Sequence, residues 1–122
     1  MHEAAIAQGI LETALRALPA SADGKSPRSG RVRVVRVVAG VFSGCERESL
    51  AMYFSAMIPG TPLEGAVLEI ERRPAKLICC ACGYERPFHD AGDFAANCER
   101  CGQANRMEGG NELFLESMEV DE

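Results

Sequence analysis

The stretch from Cys79 to Cys101 constrains this chain more than any other. It opens Cys79-Cys80-Ala81-Cys82-Gly83 and closes Cys98-Glu99-Arg100-Cys101-Gly102, so each end contains Cys-x-x-Cys-Gly. A two-residue gap brings both sulfurs of a pair to one side of a tight turn. The glycine that follows takes the left-handed backbone conformation that points main-chain N–H groups at the thiolates. Two such knuckles, separated by residues 83–97, supply four thiolates in a tetrahedron. That set, Cys79, Cys82, Cys98 and Cys101, suits a structural zinc ion.

Other uses of these cysteines fit less well. A thioredoxin-type redox pair needs only one Cys-x-x-Cys, and a disulfide framework belongs to small exported domains. A single iron in the same cage is not separated from zinc by sequence. Cys80-Ala81-Cys82 is too tight a pair, so Cys80 is expected to stand outside the site. Cys45 lies far away in sequence and reads as a small buried residue. His89, beside Asp90 and between the knuckles, reads as an exposed loop histidine.

A chain of 122 residues has room for one ordinary core, or for a small core plus a metal-held module. Lys plus Arg is 13 against 18 for Asp plus Glu, a net charge of −5. An acidic chain gains nothing from phosphate attraction, which argues against a nucleic-acid partner. No apolar run reaches membrane-spanning length. The N-terminus lacks the basic flank and continuous apolar run of a signal peptide. The cysteines are therefore expected to be thiols or metal ligands in a cytoplasmic protein.

Periodicity organises the rest. Ala7, Ile10, Leu11, Ala14, Leu15 and Leu18 form one helical face that ends at Pro19. Ser21–Gly30 has no apolar period and reads as a mobile surface loop. Arg31–Ala39 predicts a strand with Val32, Val34 and Val38 on one face, Val35 and Val37 on the other, and arginine tips in water. A second helix follows from about Glu46, with Leu50, Tyr53, Phe54, Met57 and Ile58 as a core stripe, and Pro59-Gly60 stops it. Ala66, Leu68 and Ile70 alternate with Glu69 and Glu71 as a second strand. Glu112–Val120 reads as a third, with Leu113 and Leu115 opposite Phe114 and Met118. The expected fold is α+β: two helices packed on a small three-stranded mixed sheet, with an inserted four-cysteine, zinc-ribbon-like module. Residues 1–74 and 109–122 form the main domain and 75–108 the module, held by metal because so few residues make too little core.

Four thiolates leave zinc no open position, so the chemistry is sought elsewhere. The Met1 amine, the His2 backbone nitrogen and the His2 imidazole can form adjacent chelate rings around one ion, and flat nitrogen and oxygen coordination favours Ni(II) or Cu(II). His2 is too large for initiator trimming, so the Met1 amine is expected to persist. The first N–H groups of a helix have no internal partner, so a deprotonated nitrogen there breaks no helical bond. The positive helix end favours loss of the amine proton but disfavours a bound cation, which gives Glu3 a role in offsetting charge or completing the coordination. On residue chemistry alone a second reading stays open: a solvated His2, and a Glu3 that stabilises the helix dipole.

Taken together, the chain resembles the HypA/HybF family of hydrogenase-maturation nickel metallochaperones over nearly its whole length. The resemblance is carried by Met1-His2-Glu3 with its helix, by Gly60-Thr61-Pro62-Leu63-Glu64-Gly65-Ala66 leading into Leu68-Glu69-Ile70-Glu71, by both knuckles, and by Gly110-Asn111-Glu112-Leu113 with Met118-Glu119-Val120. It implies transferable Ni(II) on Met1, His2 and Glu3 and structural Zn(II) on Cys79, Cys82, Cys98 and Cys101. It also implies delivery of nickel to the large-subunit precursor of a [NiFe] hydrogenase beside a HypB-type GTPase; some relatives also serve urease. Three departures stand out: a long Ser21–Gly30 loop, the additional thiol of Cys80, and Asn111 where Arg is common. The expectation is a metal carrier rather than an enzyme, with weak homodimerisation left open. The rival classes are a plain zinc-ribbon interaction module and a rubredoxin-like electron carrier.

Overall fold

Residues 2–18 and 31–121 are described here from a computed structural model. Met1, the Pro19 helix stop and the Ser21–Gly30 loop lie outside the described residues. Helix α1 covers Glu3–Ala17 and buries Ala7, Ile10 and Ala14, the face its period requires. It ends as the Leu18 N–H bonds the Ala14 carbonyl at 3.2 Å and the backbone turns extended. Helix α2, Arg47–Met57, starts from Glu46, whose carboxylate accepts the N–H groups of Glu48 at 3.3 Å and Ser49 at 2.7 Å. These donors have no partner within the helix, so an acid at this position satisfies them. Beyond Ile58, Gly60 at φ +82° begins a run of turns that buries Leu63 and Ala66.

Strands β1 (Arg31–Gly40), β2 (Val67–Arg73) and β6 (Leu113–Asp121) form a sheet in the order β2-β1-β6. Ala7, Ile10 and Ala14 share one core with Leu50, Phe54 and three β1 valines, Val32, Val35 and Val37. The face assignments differ from strict alternation. Val32 joins Val35 and Val37 in that core instead of lying opposite them with Val34 and Val38. Arg33 and Arg36, also three apart, both reach Glu119, at 3.2 and 2.6 Å. A regular strand puts residues three apart on opposite faces, so β1 changes phase between Val32 and Val35. In β6, likewise, Leu115 and Met118 both pack on the core. Arg33 and Arg36 do keep exposed tips, and with Glu69, Glu119 and Asp121 those tips form a network of exposed ion pairs. Such pairs add little stability, but they fit the phase shift.

A second three-stranded sheet, in the order β4-β3-β5, is built from β3 (Ala75–Cys79), β4 (Glu85–Phe88) and β5 (Asn105–Glu108). Both pairings are antiparallel, with Ala75 opposite Phe88 and Cys79 opposite Asn105. The chain divides into two compact units. One takes the described residues up to Val38, Cys45–Glu71 and those from Phe114 onward; the other takes Ala39–Gly44 and Arg72–Leu113. Segment 39–44 belongs with the second sheet for visible reasons. Val41 N–H donates to the Arg73 carbonyl at 2.9 Å and Phe42 N–H to that of Gly110 at 2.6 Å. The Phe42 ring lies 5.4 Å from Phe88, and Val41 packs on the small core of Ala75, Leu77 and Phe88.

Candidate metal centre

The two knuckles are closed by the same bonds. Cys79 N–H donates to the Tyr84 carbonyl at 2.9 Å, and Gly83 N–H to the Cys79 carbonyl at 3.2 Å. In the second knuckle Cys98 N–H reaches Gln103 O at 2.7 Å and Gly102 N–H reaches Cys98 O at 2.9 Å. Gly83 and Gly102 sit at φ +77° and +78°, where a side chain is strained, and this is why each knuckle ends in glycine. The turns aim amides at sulfur: Ala81 and Cys82 N–H at Cys79 Sγ (3.4 and 3.3 Å), Arg100 N–H at Cys98 Sγ (3.3 Å).

The sulfurs converge. Cys79 and Cys101 Sγ are 3.4 Å apart, Cys82 and Cys98 Sγ 3.7 Å, and all four lie within 4.8 Å of one another. A tetrahedron with metal–sulfur bonds of about 2.3 Å has edges of about 3.8 Å, so this set fits zinc. Cys79 and Cys98 are buried, Cys82 and Cys101 exposed. The N–H groups of Cys82 and Ala81 bring the Cys79 thiol down to about 6, and those of Cys101 and Arg100 lower Cys98. Cys101 receives a backbone bond from Gln103, yet the neighbouring sulfurs, Cys79 first, push it up to about 12. Four close sulfurs resist holding four negative charges alone, and a dication between them removes that resistance.

A strut that sequence reading missed joins the knuckles. Tyr84 O–H donates to Glu99 at 2.8 Å, the Arg100 guanidinium lies 4.4 Å over the Tyr84 ring, and Arg86 pairs with Glu99 at 3.6 Å. Its one sequence signal is an aromatic directly after the first knuckle and a Glu-Arg pair inside the second. Cys80 is exposed and outside the sulfur group. His89 is exposed, and its backbone N–H donates to Asp93 at 2.8 Å. Cys45 is half-buried against the helical core; burial, then the Glu3 and Glu46 carboxylates, raise its thiol.

Of the three leading residues, Met1 is outside the described residues. His2 occupies the cap position of α1, exposed, with its carbonyl accepting Ile6 N–H at 3.0 Å and no side-chain cap bond. Glu3 is more than a solvated first-turn acid. It is buried at 4 % exposure, and its Oε2 accepts the Glu46 N–H at 3.1 Å. The start of α1 is thereby tied to the start of α2. Among the described residues, the four sulfurs are the one cluster placed to hold a metal.

Residues 1–120 match the family model described as hydrogenase/urease nickel incorporation, metallochaperone, HypA. The chain is 32 % identical to a hydrogenase maturation factor HypA of Dehalococcoides mccartyi (strain ATCC BAA-2266 / KCTC 15142 / 195), over all of this chain (100 %) and 96 % of that one. It is 35 % identical to that of Chlorobaculum tepidum, over 99 % and 100 %. The solution structure of the Ni metallochaperone HypA from Helicobacter pylori superposes with a TM-score of 0.56 at 20 % identity, covering 98 % of this chain and 97 % of that one. At that identity the likeness speaks for the fold alone. Matched from end to end by the family model and by relatives above 30 % identity, the chain belongs to the HypA family of hydrogenase maturation factors.

Proposed function

We propose that this chain is a cytoplasmic nickel carrier that binds Ni(II) at Met1, His2 and Glu3 and passes it to the large-subunit precursor of a [NiFe] hydrogenase, with urease a further destination. The partner is a HypB-type GTPase, and the chain performs no catalysis of its own. The observation that carries this reading is the end-to-end match to a nickel-incorporation family in a chain beginning Met1-His2-Glu3. An exposed His2 at a helix start supports it, since ligands there exchange one at a time. Glu3 supports it differently: the Glu46 N–H holds its Oε2, which orders the carboxylate before any ion arrives. Zinc on Cys79, Cys82, Cys98 and Cys101 supplies structure, stabilising the module of residues 75–108. A four-thiolate cage favours zinc and leaves no open position for exchange, so it is the wrong place for cargo.

Elemental analysis of untagged protein grown with nickel tests this. The expected result is nickel together with zinc. Zinc without nickel would identify an interaction module, and iron at the four cysteines an electron carrier.

A further inference from the structure

Cys45 has no part in the sulfur cluster, yet it stands beside the start of the chain. It belongs to the same compact unit as His2 and Glu3, and it is only half-buried against the helical core. The Glu3 contact fixes its place. Glu3 Oε2 accepts the N–H of the Cys45–Glu46 peptide at 3.1 Å, and that nitrogen is two bonds from the Cys45 Cα. Bond lengths alone therefore keep Cys45 Sγ within about 8 Å of the carboxylate oxygen. After burial itself, Glu3 does most to raise the Cys45 thiol, ahead of Glu46, its neighbour in sequence. The thiol thus faces the Glu3 carboxylate more closely, or through less solvent, than that of Glu46.

Two further observations favour a cation at this spot. Among the described residues Glu3 is the one charged side chain that is buried, at 4 % exposure. A carboxylate taken out of water is stabilised by positive charge beside it. His2, the next residue, is exposed and makes no side-chain cap bond, so turning its imidazole toward Glu3 costs the helix nothing. A thiol gathered with two carboxylates resists ionising, and a dication among them reverses that balance. Ni(II) in a flat donor set takes four ligands, of which the amine, the backbone nitrogen and the imidazole supply three. A thiolate suits the place that is left better than a carboxylate whose Oε2 is already engaged.

We propose, resting on the reading that nickel is taken up at the start of the chain, that Cys45 is a further nickel ligand. As the ion arrives, the Cys45 thiol gives its proton to solvent and Sγ bonds the ion beside Glu3. The test uses zinc-loaded, untagged, full-length chain with one equivalent of Ni(II). It is read by calorimetry, by near-ultraviolet absorption, and by alkylation of each cysteine with iodoacetamide followed by mass spectrometry. Nickel should slow alkylation of Cys45 by about tenfold or more. Alkylation of Cys80, exposed and outside the sulfur cluster, should keep its rate. A sulfur-to-nickel charge-transfer band should appear. Cys45→Ser should lose that band and about tenfold or more in nickel affinity, with zinc content unchanged. Nickel bound without the band, or with Cys45 alkylated at its nickel-free rate, would overturn the proposal and leave the terminal nickel site standing. A band that persists in Cys45→Ser, or protection that survives His2→Ala, would overturn it too. No nickel bound at all would overturn both readings. Should Cys45→Ser fail to fold, the band and the protection on the native chain still decide.

Discussion

Stripping zinc from the four sulfurs should unfold the second unit and leave the helical unit standing, for reasons of magnitude. The apolar core of the second unit is Ala75, Leu77 and Phe88 with Val41 packed against it. Full burial of a Leu or Phe contributes about 1.5–3 kcal/mol each. A structural zinc site contributes about 10–16 kcal/mol of apparent binding free energy, so the metal outweighs the core. Cys79 also ends β3 and pairs with Asn105 of β5, so loosening the knuckle frees that end of the ladder. The helical unit has its own fully buried Leu50, Phe54, Leu63 and Val35, none of which touches the metal. The assay is titration of the full chain with a strong chelator, following bound zinc by elemental analysis and both units by amide NMR. Signals of Leu77, Ile78, Phe88 and Arg106 should move to unfolded positions in step with zinc loss, while those of Ala7, Ile10, Leu50 and Phe54 hold. Dispersed β3 signals in zinc-free protein, or loss of both sets together, would refute the reasoning.

Phe54 is 1 % exposed, so Phe54→Ala should cost about 3–5 kcal/mol in denaturant unfolding of the helical signal, with zinc content unchanged. Cys98→Ala should abolish zinc retention, whereas Cys80→Ser should keep it, as read by elemental analysis. Glu46 caps α2, and Ser49's side chain and N–H, then Glu48's N–H, hold its carboxyl below the ordinary range. The stability this adds is full above the unfolded carboxyl value of about 4.3 and is lost as pH falls through the lower folded value. Glu46→Ala should therefore lower the thermal midpoint of the helical signal at neutral pH, and that gap should close in acid.

How much was legible depended on whether a signal was local. The knuckles were readable because Cys-x-x-Cys-Gly encodes its own turn, and Gly83 and Gly102 take the positive φ that the pattern calls for. The two helices were readable because a period sustained from Ala7 to Leu18, or from Leu50 to Ile58, has one geometric solution. The β4-β3-β5 sheet was not, since strands of four or five residues are too short to show a period. The phase change in β1 was hidden because a run of valines looks apolar on both faces, and it shows in contacts: Val32 sharing a core with Val35 and Val37, and Arg33 and Arg36 meeting at Glu119. Glu3 was misleading for a different reason. A first-turn acid is ordinary, and its burial against the Glu46 N–H depends on a contact 43 residues away along the chain.

The claim that an unblocked leading amine and the imidazole beside it grip the cargo ion is tested most directly by calorimetric titration of Ni(II) into zinc-loaded chain with a native Met1. The account predicts saturable binding that His2→Ala, or any residue fused ahead of Met1, abolishes while zinc content and fold persist. Nickel affinity unchanged in the His2→Ala protein would contradict it.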